Sequence, residues 1–155
     1  MHAQYNNLAA VHFRLHEEAQ DPREPPGAQL EEAVRWSLRA RDFAHLMDFG
    51  GSIDIEVNLA HAYRLQGRLQ EAQEELRRAA NSARASKNLS DRAIVAVERA
   101  EIEEAAGQRG RAAHTMREAL GLLREVGVEE WTRQAQRRLD ELEGRVPLSK
   151  PVKLW

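Results

Sequence analysis

Apolar residues recur along this chain at the three- and four-residue steps of amphipathic helices, and no stretch alternates apolar and polar positions over a strand's length. Turn signals cut this pattern into helix-sized pieces: DPREPPG (Asp21 to Gly27), FGGS (Phe49 to Ser52), QGR (Gln66 to Arg68), KNLSD (Lys87 to Asp91), GQRG (Gly107 to Gly110) and VGVEE (Val126 to Glu130). The pieces predict seven helices, at about 2–19, 28–48, 52–66, 68–87, 90–106, 109–126 and 129–143. Ser90 or Asp91 is expected to cap the fifth, and Ser52, followed by Glu56, the third. The segment 144–155, GRVPLSKPVKLW, carries two prolines and is expected to be a non-helical tail.

The helical pattern repeats. Gly67 aligns with Gly107, Ala72 with Ala112, Leu76 with Met116 and Ala79 with Ala119, each at a spacing of 40, and Ala33 and Ala40 precede Ala72 and Ala79 by 39. A fixed period over a helix pair implies that each hairpin covers its apolar face by stacking on the next. The repeated alanines fit close helix–helix approach, where a larger side chain would push the hairpin open.

These residues resemble the tetratricopeptide repeat (TPR) family, whose first helix carries a leucine, a small residue and a tyrosine, and whose second carries spaced alanines. The second repeat, NLAHAYRLQGRLQEAQEELRRAA, supplies Leu59, Ala60 in the small-residue place, Tyr63, Gly67, Ala72, Leu76 and Ala79. The first supplies Leu8, Ala9, His12, Ala33 and Ala40, with DPREPPG lengthening the loop between its helices. The third keeps Ala100, Gly107, Ala112, Met116 and Ala119 but has Arg99 and Glu103 in place of the leucine and tyrosine. The expectation is an all-α, TPR-like right-handed superhelix. It would comprise repeat 1 (about 2–48), repeat 2 (about 52–87), repeat 3 (about 90–126) and a capping helix (about 129–143). The 40-residue period resembles the longer-helix members found in bacterial signalling ATPases and peptide-pheromone receptors.

What the resemblance implies for function is binding of a protein or peptide in a concave groove lined by the first helix of each repeat. The family register puts Asn6, Asn7 and Phe13 there from the first repeat, and Asp54, Val57, Asn58, His61, Arg64 and Leu65 from the second. The third gives Val97, Glu98, Glu101 and Glu104, and the cap Arg133 and Arg137. Asn7 and Asn58 stand where peptide-binding members hold a ligand backbone, a task suited to an amide that both donates and accepts. The same asparagines are also accounted for as ordinary repeat filler. Members that clamp an acidic C-terminus use Lys and Arg where this chain has Val57 and Val97. The expected ligand therefore carries both signs, or a basic segment facing Glu98, Glu101 and Glu104; a solvated helix face explains those carboxylates as well.

Composition narrows the classes further. The chain has 155 residues, 23 Lys+Arg and 25 Asp+Glu, so it lacks the positive surplus that nucleic-acid binding needs. No apolar run approaches the ~20 residues of a membrane span, and the N-terminal segment has no secretory pattern. The absence of cysteine removes disulfides and thiolate chemistry and fits a cytoplasmic setting. Arg far outnumbers Lys, which suggests a GC-rich bacterial source. His12 and His16 have a metal-compatible spacing, but His12 falls on the inward tyrosine place, so no metal or cofactor is expected. No phosphate loop or nucleophile motif is present, and the reading is not an enzyme. Two alternatives remain. One is the sensor portion of a larger transcription regulator or signalling ATPase, suggested by the mid-pattern opening YNNLAAV. The other is a self-assembling structural protein, with Trp155 docking on a second copy to give a homodimer or chain.

Overall fold

The structure, a computed structural model, describes residues 27–47 and 52–147. Within them the chain forms six α-helices and no strand. These are α1 (Ala28–Leu46), α2 (Ile53–Leu65), α3 (Leu69–Ser86), α4 (Leu89–Ala105), α5 (Arg109–Val126) and α6 (Glu129–Leu142). Each matches its predicted span closely. The predicted helix 2–19 and the tail beyond Pro147 lie outside the described residues, while Gly144–Pro147 is non-helical as expected. No described helix is long and apolar enough to cross a membrane.

Left-handed glycines end four of the helices, Gly127 closing α5 and the other three sharing one geometry. Gly67, Gly107 and Gly144 adopt left-handed backbone with φ of 74°, 76° and 76°. At the first, the Gly67 N–H donates to the Arg64 carbonyl and the Arg68 N–H to that of Tyr63; the other two glycines repeat the pattern. This double turn-back satisfies carbonyls that the helix end would leave bare, and it needs a residue free to take positive φ. The expected cap of α4 is corrected: Asn88, not Ser90 or Asp91, is the N-cap, its side chain accepting from the Ser90 N–H. Asp91 instead accepts from the Ser86 hydroxyl across the turn. Ser52 does stand at the N-cap of α2, but without a side-chain bond.

The chain divides into two compact units, 1–79 and 80–155, with α3 running through the boundary. In the first, α1 packs on α2 through Leu30, Ala33 and Ala62, with Val34, Trp36 and Leu65 at the edge. Arg41 of α1 also donates to Glu75 of α3 at 3.0 Å. In the second unit, α5 packs against both α4 and α6. Its core joins Ala93, Val97 and Ala100 of α4, Ala112, Met116, Ala119 and Leu123 of α5, and Ala135, Leu139 and Leu142 of α6, with Trp131 partly buried beside them. Each large apolar side chain so buried contributes about 1.5–3 kcal/mol.

Burial follows the sequence period. Ala33, Ala72 and Ala112 are buried, as are Ser37, Leu76 and Met116; Ala40, Ala79 and Ala119; and Ala44, Ala83 and Leu123. The fold is thus all-helical and repeat-like. Where the third repeat departs from the pattern, the chemistry changes but the packing place is kept. Glu103, in the place of Tyr63, accepts a 2.7 Å hydrogen bond from the Thr115 hydroxyl.

Candidate functional site

Counting back from the three turn glycines puts the polar residues of α2, α4 and α6 in one register. His61, Glu101 and Arg138 stand six residues before Gly67, Gly107 and Gly144, and Arg64, Glu104 and Glu141 stand three before them. All but Glu104 are buried.

In the first unit, Arg64 Nη2 donates to His61 Nδ1 at 2.9 Å. Val57, Asn58, His61 and Arg64 are buried, Asp54 is exposed, and Leu65 sits at the edge of the α1–α2 core. In the second unit the Arg138 guanidinium, 2% exposed, is the hub. Its Nε and Nη2 donate to the two carboxylate oxygens of Glu101 at 2.8 and 3.0 Å, and its Nη1 to Glu141 Oε2 at 3.0 Å. Glu104 Oε2 lies 3.5 Å from Nη2. Burial alone would lower the Arg138 pKa, but the bonds to Glu101 and Glu141 outweigh it and hold the value above the ordinary one. The fork geometry matches a guanidinium to a carboxylate, so α4 and α6 are tied by a bidentate bond away from water.

The sequence-predicted residues therefore fall into three groups. Val57, Asn58, His61, Arg64, Val97, Glu98 and Glu101 are buried, and Val97 belongs to the α4–α5 core rather than to an open face. Asp54, Arg133 and Arg137 are exposed, and Glu104 is partly so. Asn6, Asn7, Phe13 and the His12/His16 pair lie outside the described residues. Among the described residues no group of three or more His, Asp or Glu side chains is placed to hold a metal ion.

Three residues at this site were not singled out from the sequence: Arg138, Glu141 and Arg124. The first two were available from the glycine register. Arg124, in the last turn of α5, donates to Gln136 of α6 at 3.3 Å and faces a cavity of about 1110 Å³ that Arg133 and Arg137 also line.

No family model, curated protein or solved structure matches this chain.

Proposed function

We propose that the chain is a non-catalytic, TPR-like repeat module that binds a protein or peptide segment, working in the cytoplasm and closed at one end by α6. The observation that carries this reading is the recurrence of buried small residues at a 39- to 40-residue spacing, with left-handed glycines after 40 and then 37 residues. Repeated hairpins of this kind present side chains at a regular sequence spacing, which suits recognition of an extended or helical segment. The outer face of α6 carries Glu130, Arg133 and Arg137 in solvent, as a terminal cap requires. In this reading the exposed Asp54 in the first unit, and the partly exposed Glu104 and exposed Arg133 and Arg137 in the second, are each available to a ligand, and the buried His61, Arg64, Glu98, Glu101 and Arg138 hold the helices that present them.

The test is affinity capture from native lysate with the full chain and an Asp54→Lys, Glu104→Gln variant, each checked for helicity and mass. A polypeptide retained by the parent chain and lost by the variant supports the reading. Capture of nothing, with mass rising as the protein is concentrated, replaces it with self-assembly.

A further inference from the structure

We propose that the cavity beside α6 binds an extended acidic peptide segment, with carboxylates on alternate residues flanking an apolar one. This rests on the reading of the chain as a peptide-binding module and names the chemistry of one contact site. The cavity is lined by Arg124 from α5 and by Arg133 and Arg137 from α6. Two carboxylates also line it, Glu129 and Asp140, but Asp140 is already bound by Arg145, which is not part of the lining. Among the described residues the lining thus carries three guanidinium groups and one carboxylate, Glu129, besides the Arg145-bound Asp140, so the charge to be matched is negative.

The arginines have donors to spare. Arg133 and Arg137 have side chains 72% and 74% exposed. Arg133 makes a solvent-exposed pair with Glu130 at 2.8 Å, a kind of contact that holds a side chain weakly. Arg137 lies 3.5 Å from Glu141, which the buried Arg138 binds more closely at 3.0 Å. Each guanidinium carries five N–H donors, so most remain available for a bidentate carboxylate.

Spacing selects the ligand's conformation. Residues four apart on a helix have Cβ atoms about 5–6 Å apart. Alternate residues of an extended strand point the same way, about 6.6–6.8 Å apart. Two acidic side chains separated by one residue can therefore meet Arg133 and Arg137 together. The volume, about 1110 Å³, slightly exceeds the roughly 300–1,000 Å³ of small-ligand pockets, which suits a short peptide better than a single ion. Val146, a large apolar residue 41% exposed, is part of the lining and offers contact to an apolar side chain.

The experiment is fluorescence anisotropy on the full chain with a labelled Asp-Leu-Asp peptide and its Asn-Leu-Asn and Lys-Leu-Lys counterparts. It is repeated with Arg133→Glu, Arg137→Glu and, as a control away from the cavity, Arg77→Glu. The expected result is saturable binding of the Asp peptide alone, weakened about tenfold or more by either α6 reversal and by added salt, and unchanged by Arg77→Glu. Equal binding of the Asn peptide, no binding of the Asp peptide, or indifference to both α6 reversals would overturn the proposal. So would displacement by inorganic phosphate at the peptide's own concentration, since the site would then read charge alone. Should the peptide fail while the lysate capture still depends on Asp54 and Glu104, this site is refuted and the module reading stands.

Discussion

Arg138→Met isolates the ionic hub of the second unit. The substitution keeps an unbranched side chain but removes three hydrogen bonds of 2.8 to 3.0 Å, two to Glu101 and one to Glu141. Both carboxylates are at most 1% exposed, so water cannot replace the guanidinium without opening the α4–α6 contact. Removing one partner of such a buried arrangement costs about 3–5 kcal/mol, against a total domain stability of about 5–15 kcal/mol. Arg138→Lys separates charge from shape: it keeps a cation of similar length but cannot make the fork, and an intermediate loss of about 1–3 kcal/mol is expected. Glu101→Leu combined with Arg138→Met should restore part of the single-variant loss, because the Met–Leu pair carries no desolvation penalty while the buried Glu141 still lacks its guanidinium. The assay is urea unfolding followed by far-ultraviolet circular dichroism, read as ΔG by linear extrapolation with the slope checked for constancy. The reasoning fails if Arg138→Met costs less than about 1 kcal/mol. It also fails if Lys is as damaging as Met, or if the double variant is as unstable as the sum of the singles, meaning no coupling.

Three further expectations use the same unfolding measurement. A Cβ added at Gly107 or at Gly121 would meet nothing within 4 Å, so backbone conformation alone sets the sign. Gly107→Ala should destabilise by about 1–2 kcal/mol at φ 76°, and Gly121→Ala, inside α5, should stabilise by about 0.5–1 kcal/mol; like signs would refute the turn assignment. Ser37 is fully buried in α1 and its hydroxyl has no hydrogen-bond partner among the described residues, so Ser37→Ala should raise stability by about 1 kcal/mol, and a loss would mean the hydroxyl is bonded. Bonds from Arg77 hold the Glu74 pKa below its ordinary 4.5, and for Glu71 a bond from its own backbone N–H, followed by one from the Arg68 side chain, does the same. Their contribution is present above the unfolded-state value and lost as pH falls through the folded one, so stability should decline on acidification below about pH 4.5, less steeply in Arg77→Ala.

The helices were legible because their signals are local: a 3.6-residue pattern and a glycine or short polar run at each end. The cap of α4 was not, because KNLSD offers several cap-competent residues in succession and the geometry of the turn chooses Asn88. Burial of the charged register was hidden for a different reason. Glu101 on an isolated helix reads as solvated, and the bidentate bond from Arg138, 37 residues later, is what helps make its burial tolerable. The family register points to Arg133 and Arg137 on α6, whereas the glycine spacing points to Arg138 and Glu141. Turn glycines mark the frame of a hairpin more sharply than its alanines, because a positive φ tolerates few substitutes while a close contact tolerates several.

Arg109 lies in the first turn of α5, and its guanidinium donates to the carbonyls of Glu141 and Leu142 at 2.6 and 2.7 Å, closing the last turn of α6. Helix ends ordinarily fray within a turn, and their amides exchange with solvent quickly. Here fraying of α6 must first release a charged side chain rooted at the start of another helix. The end of α6 and the start of α5 should therefore open together, with a single protection factor in hydrogen–deuterium exchange. Arg109→Ala should set the two rates apart, leaving the last turn of α6 to exchange on its own clock.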